Sequence, residues 1–434
     1  MSSNLAGIHF SQNKAAKLWL GRGPVPFGKR SSVKNGTCRE AIRPKSKVAA
    51  FVKAIRHSCR KALTALRCFD LGSNQQRVHL KTRSKGIVLF SAAVVAFPIM
   101  SLAACEAGEY WPSADWEVAR LEERLFRESL LDPLKTFVQE QNSSAFLIIH
   151  RGRLETEWYF DGAKPEDRVG SASAAKGFTS ALLGIAMEEG YLPGTGTTLA
   201  DWFPEWTRGD PSGNLAMVTL ADLLTMRSGL PWNRDLQVAM HQAPGYLEFI
   251  QQQAPEAPPG IRFLYSGFDP ILISAIMRRA TGQWLADYAQ KKLFKPIGIR
   301  GATWNGDPKG LTNGGSLINM TARDYARFGL LYLREGRWMD KQVVPAAWVQ
   351  KSTPNQFDGW PWYGYYWWHL QEEVENSDAR LQGCYFAAGA GGQHIIILPA
   401  LDTVIVRLGT EPKLSPSGGK FVPELCRLLL DSLP

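Results

Sequence analysis

Short apolar segments that read as strands lie at both ends of the folded part of this chain, and helical sequence fills the space between them. Ser144–His150 and Leu154–Phe160 flank the turn Arg151-Gly152-Arg153 and form a hairpin pattern. Gln382–Ala387, Gln393–Leu398 and Thr403–Leu408 follow more than two hundred residues later. The intervening Pro193–Gly336 is mostly helical, broken by Pro and Gly turns. A sheet drawn from both chain ends around such an insertion implies an α+β layered domain. Its antiparallel sheet is flanked by helices, with a large helical insertion and a site in the cleft between two lobes.

Individual helices are legible from their apolar spacing. Phe178–Glu189 is apolar nearly all round, so it belongs in the interior. Val118–Glu140 is amphipathic, with Pro133 as a point of kinking. Thr321 with Asp324 three residues on, bracketed by Met320 and Tyr325, reads as a helix start with its staple. Phe421–Leu430 closes the chain.

The net charge of +10 is unevenly spread: residues 1–104 carry +17 and the remainder −7. The basic surplus ends at His79–Lys85, which precedes the uncharged run Gly86–Ala104. Positive charge, an apolar stretch and small closing residues form a secretory signal pattern, with a single membrane helix or a core helix as alternatives. The ending Leu102-Ala103-Ala104-Cys105 resembles the lipobox of bacterial lipoprotein signals. That resemblance implies a lipid on Cys105 and a cell-envelope location, held at the membrane by this anchor. The expected organisation is a disordered leader over 1–78, with a translation start downstream of it as an alternative, a signal over 79–104, a tether over 105–117 and one catalytic-sized domain over 118–434. Scattered Lys and Arg in the leader come with no recognition motif, so no nucleic-acid partner is expected.

Metal and nucleotide chemistry find no support. The seven histidines include no H-E-x-x-H and no i, i+4 pair, and no G-x-G-x-x-G follows a strand. Cys384 and Cys426 fit no zinc spacing and are open to either one disulfide or two buried thiols. No cofactor is expected.

S-x-x-K occurs five times, beginning at Ser11, Ser31, Ser58, Ser173 and Ser417. Ser173-Ala174-Ala175-Lys176 stands apart because it opens the buried helix. Unpaired N–H groups and the positive end of the helix dipole favour an alkoxide there. Lys176 lies one turn on, where loss of water and the same positive field favour a neutral amine that accepts a proton. An N-cap serine with a solvated lysine is the bland alternative; it leaves a lysine in an apolar helix unexplained. Tyr265, in Phe263-Leu-Tyr-Ser-Gly267, is the candidate second proton carrier, or else an ordinary core tyrosine. The run Trp360–His369 divides between core and cleft rim.

The order S-x-x-K, Y-S-x, then a Gly-rich strand turn resembles the serine β-lactamase and penicillin-binding-protein superfamily, in its class C-like branch. That branch includes esterases and 6-aminohexanoate-dimer-type amide hydrolases. Leu223-Leu-Thr-Met-Arg-Ser-Gly-Leu230 is similar to the family's L-L-T-H-x-S-G-L, with Met226 for His, and Gly315–Trp338 is similar to its G-G-L-x-M-T-A-R-D-L-A-R-F-G-L-L segment. The resemblance implies a serine hydrolase working through an acyl-enzyme, with Ser173, Lys176 and Tyr265 catalytic. It places the family's third motif in Gly389-Ala390-Gly391-Gly392-Gln393, with Ala390 where a cation usually sits and the N–H groups of Ser173 and Gln393 as oxyanion hole. Ser266, Gly267, Ala390, Gly391 and Gly392 are then the substrate-binding positions. Losing the cation, and the Asn that Gly267 replaces, favours a small-molecule ester or amide substrate. β-Lactam or D,D-peptide hydrolysis, and an inactive binding scaffold of the same fold, are the alternatives.

Overall fold

The computed structural model describes residues 109–414 and 420–434. The leader, the signal, Cys105 and the four other S-x-x-K serines lie outside the described residues.

Six antiparallel strands form the central sheet: β1 (Ser143–His150), β2 (Arg153–Tyr159), β3 (Trp368–His369), β4 (Tyr385–Gly389), β5 (Gln393–Leu398) and β6 (Thr403–Gly409). Their order is β2-β1-β6-β5-β4-β3, so the N-terminal hairpin and the C-terminal meander meet where β1 pairs with β6. In that register Leu147 faces Val406 and Ile148 faces Ile405. Arg151 and Gly152 both take positive φ, 50° and 81°, which gives the tight β1–β2 turn the twist it needs.

Helices cover both faces, which explains why the strands read as continuous apolar runs rather than alternating ones. Leu147, Ile149, Ile395, Ile397, Val404 and Val406 join the core with α2 (Ala175–Glu188) and α5 (Ala322–Leu333). Phe146, Ile148, Ile396 and Ile405 face the second core with α1 (Asp132–Glu140) and α6 (Phe421–Asp431). The insertion contributes α3 (Leu220–Leu224) and α4 (Phe268–Thr281). Residues 268 to 277 of α4 are all buried.

Two expectations need correction. Val118–Glu140 is not one kinked helix: two single 3₁₀ turns precede α1, and Pro133 sits in the first turn of α1, where its missing N–H costs nothing. Residues 109–117 do not hang free as a tether. Trp116 is buried, Trp111 packs on Trp338 with centroids 5.3 Å apart, and the Arg327 guanidinium donates to the carbonyls of Pro112, Ser113 and Ala114. Cys384 and Cys426 are both buried free thiols.

Candidate active site

Ser173 lies in a single 3₁₀ turn, Ala172–Ala174, that runs straight into α2. Ala172 has φ 43°, an uncommon conformation for a residue with a side chain, and it turns the chain sharply just before the serine. Ser171 holds this turn in place. Its N–H donates to the Ile318 carbonyl at 2.8 Å, and its Oγ accepts from the Ile318 N–H at 3.2 Å.

Lys176 is 3 % exposed, and its Nζ makes two hydrogen bonds. One goes to Ser173 Oγ at 3.0 Å and the other to the Gly315 carbonyl at 3.3 Å. The ring of Tyr265 lies beneath it, with Nζ 4.7 Å from the centroid. Tyr265, about ninety residues further along the chain, therefore joins Ser173 and Lys176 in one cluster. Trp368 and Tyr363 also pack on the Tyr265 ring, at centroid distances of 5.4 and 6.2 Å. Within the aromatic run, Tyr363, Tyr366 and Trp367 are buried, while Trp360 is exposed.

The third motif is shifted from its expected position. A Cβ built on Gly389 would lie 2.4 Å from the Ser171 carbonyl oxygen and 2.9 Å from Ser173 N. Gly389, at the end of β4, is thus the glycine that presses on the serine turn. Strand alternation then puts Ala387, buried two residues earlier, on the same face of β4 as Gly389. The carbonyls of Gly391 and Gly392 are engaged, accepting from Arg407 Nη1 at 2.5 and 2.9 Å. The side chain of Gln393 is tied to the Gly409 backbone, with Nε2 donating to its carbonyl at 2.6 Å. Gln393 also pairs with Gly389 across the β4–β5 hairpin. Ala390 offers the better-placed donor. The Gly389 carbonyl accepts from Gly392 N–H on the hairpin side, so in the trans peptide the Ala390 N–H points the other way. On that side β3 pairs with β4 only at Tyr385 and Phe386, which leaves the N–H clear.

Ser266 and Gly267 have local duties. Ser266 is 1 % exposed, and its Oγ accepts the Phe268 N–H at 2.9 Å at the start of α4. Met226, in place of the family's His, accepts the Ser266 N–H on its sulfur at 3.3 Å and the Leu264 N–H on its carbonyl at 2.8 Å. At Gly267 a Cβ would lie 2.3 Å from Trp232 Cη2. The indole therefore fills the space into which any side chain at 267 would project.

The sequence reading missed Gly315, Ser228 and Asp269. Ser228 Oγ donates to Asp269 Oδ1 at 2.7 Å, and Asp269 is fully buried in the first turn of α4. Burial raises its carboxyl from 3.8 to about 7, against the opposing effects of the Ser228 hydrogen bond and the Lys176 charge. The signal that singled out Lys176, an ionisable residue in the first turn of an apolar helix, was present here too.

Residues 134–419 match the Beta-lactamase family model. The chain belongs to the beta-lactamase family. It is a hydrolase of the beta-lactamase fold, an antiparallel sheet with helices on both faces. It is 25% identical over 314 residues to the 6-aminohexanoate-dimer hydrolase of Paenarthrobacter ureafaciens, covering 65% of this chain and 76% of that one. A Bacillus anthracis structure provisionally named 6-aminohexanoate-dimer hydrolase superposes with a TM-score of 0.61 at 23% identity, over 74% of this chain and 86% of that one. EstCE1, a hydrolase with promiscuous acyltransferase activity, gives a TM-score of 0.58 at 14% identity, over 70% and 98%. Both structural likenesses are of fold.

Proposed function

We propose that this beta-lactamase-family chain is a serine hydrolase that cleaves an ester or amide bond of a small, uncharged acyl substrate through an acyl-enzyme on Ser173. The observation that carries this reading is the buried Lys176 Nζ, 3.0 Å from Ser173 Oγ at the start of an apolar helix. When the amine is neutral, the same contact runs in reverse and Lys176 takes the hydroxyl proton. Ser173 Oγ then bonds to the substrate carbonyl carbon. The N–H groups of Ser173 and Ala390 hold the oxyanion, with Ala390 replacing Gln393 in that role. Lys176 and Tyr265 pass the proton to the leaving alcohol or amine as the carbonyl bond to it breaks. Water repeats the attack on the acyl ester and frees Ser173.

Two features support an uncharged substrate. Ala387, on the same face of β4 as Gly389, carries no charge, and Lys309 is engaged at the surface with Glu248 at 2.6 Å. The Trp232 indole replaces a polar side chain at 267 with an apolar wall. The relative named 6-aminohexanoate-dimer hydrolase is in keeping with hydrolysis of a small substrate. The test is a panel of p-nitrophenyl esters, linear amides and a chromogenic cephalosporin, run with fluorophosphonate labelling on the intact protein and on Ser173→Ala. Labelling lost with Ser173, and turnover of uncharged esters or amides far above the cephalosporin, is the expected result. Efficient cephalosporin turnover overturns the substrate assignment.

The lipobox-like sequence supports a second proposal, that lipid on Cys105 anchors the mature protein in a bacterial envelope. Metabolic labelling with a fatty-acid probe tests it: Cys105→Ser loses the label, and label retained in that variant refutes the anchor.

A further inference from the structure

The β4–β5 turn that carries Ala390 is fastened by a single arginine from β6. Arg407 is fully buried, and its guanidinium is saturated with hydrogen bonds. Nε donates to Ser143 Oγ at 2.9 Å, and Nη1 to the carbonyls of Gly391 and Gly392 at 2.5 and 2.9 Å. Nη2 donates to the carbonyls of Gln141 and Thr410 at 2.5 and 3.0 Å. Every acceptor is neutral. Glu411 acts on the guanidinium through space, but no ion pair joins the two among the described residues. A cation buried without a carboxylate in contact has to be compensated by dipoles, here mostly those of backbone carbonyls. The turn is shaped to supply them. Gly391 and Gly392 have φ of 80° and 72°, and a Cβ on Gly392 would lie 2.5 Å from Arg407 Nη1.

The fastened turn leads back to the serine through two peptide groups. The Gly391 carbonyl accepts from Arg407, and the N–H on the opposite edge of the same peptide, that of Gly392, donates to the Gly389 carbonyl at 3.0 Å. The Gly389 carbonyl shares its peptide with the Ala390 N–H, which points the other way. Hydrogen bonds in such a chain polarise one another, and an ionised donor at its head is the strongest kind.

We propose that Arg407 is a positioning residue that fixes the Ala390 N–H and strengthens it as an oxyanion donor through this chain of two peptides. The inference rests on the proposed acyl-enzyme on Ser173 and on Ala390 as its second donor. The pull runs from the guanidinium to the Gly391 carbonyl, through the Gly392 N–H to the Gly389 carbonyl, and out at the Ala390 N–H. No proton moves along it; only electron density shifts. It therefore acts most strongly when negative charge develops on the substrate oxygen.

The experiment compares the intact protein with Arg407→Met, Arg407→Lys and Ser143→Ala, with folding checked by circular dichroism. Two readouts are taken: kcat and KM on p-nitrophenyl butyrate, and the infrared frequency of the acyl carbonyl on Ser173. The acyl group comes from a slowly released p-nitrophenyl dimethylcarbamate with a heavy-carbon label at the carbonyl. In Arg407→Met kcat falls about tenfold at nearly constant KM, a part of the 10²–10³ that a whole donor supplies. Its acyl carbonyl moves to higher frequency, because a weaker donor polarises it less. Arg407→Lys keeps the charge with fewer donors and lies between Arg407→Met and the parent in both readouts. Ser143→Ala removes the acceptor that fixes Nε and shifts both readouts the same way by less; it decides the matter should Arg407→Met not fold. A carbonyl frequency at the parental value in the folded variants, with losses confined to Tm, overturns the proposal and leaves Arg407 a structural clamp. Ser173→Ala, run in parallel, separates the two levels: if it forms no acyl-enzyme, unchanged frequencies overturn the relay alone. An acyl-enzyme formed by Ser173→Ala overturns the catalytic reading beneath it.

Discussion

Gly389→Ala is a one-methyl test of how the sheet meets the nucleophile. The added Cβ would sit 2.4 Å from the Ser171 carbonyl oxygen, and Cβ atoms keep at least 3.0 Å from such neighbours, so β4 and the serine turn must separate by about 0.6 Å. Oxyanion donors work within a window of about 2.7–3.1 Å, which is narrower than that shift. The displacement therefore removes one donor from the hole that Ser173 and Ala390 are proposed to form. Loss of one such donor costs about 10²–10³ in kcat. The overpacking itself costs about 1–3 kcal/mol of stability, which a domain of this size tolerates. Initial rates on p-nitrophenyl butyrate, the rate of fluorophosphonate labelling and a thermal melt read the two effects separately. The expected pattern is a large fall in kcat and labelling rate with a modest fall in Tm and little change in KM. Gly196→Ala is the control, since a Cβ there meets nothing within 4 Å. A Gly389→Ala protein with parental kcat would refute the placement of the oxyanion hole at this strand end.

Three further outcomes are expected. Ser173→Ala abolishes turnover and labelling while its circular dichroism matches the parent; labelling that persists identifies another nucleophile. Trp232→Ala opens the space beside Gly267, and the ratio of kcat/KM for a branched acyl ester over acetate rises by about tenfold, the scale of one or two methylenes in an apolar pocket; an unchanged ratio removes Trp232 from the acyl site. The buried Asp269 carboxyl also makes stability depend on pH, because its folded value is raised from 3.8 to about 7. The folded state holds a proton that the unfolded chain releases near pH 4, so this contribution is complete below pH 4 and is lost as pH rises to about 7. Asp269→Asn therefore gains stability relative to the parent between pH 4 and 7, measured by urea denaturation, and a constant difference across that range contradicts the assignment.

The sheet and the serine–lysine pair were legible because each depends on residues close in sequence. The apolar runs of β1, β5 and β6 announce strands buried on both faces, and a lysine three residues after a serine needs one helical turn to reach it. Long-range packing hid the rest. Gly389, Gly391 and Gly392 look equivalent in a Gly-rich turn, yet one presses on the serine turn while the other two turn their carbonyls to Arg407. Nothing local separates them, so sequence alone does not show which of the three meets the serine turn. Gly267 was legible as a lost polar contact, but not as the seat of an indole from residue 232. Asp269 was hidden differently. Its first-turn position in an apolar helix matches that of Lys176, but its partner is a serine from the 223–230 segment rather than a neighbour in its own helix. A buried ion announces itself in sequence only when its partner lies within a turn; when the partner comes from another element, the fold must be known before the charge can be given a purpose.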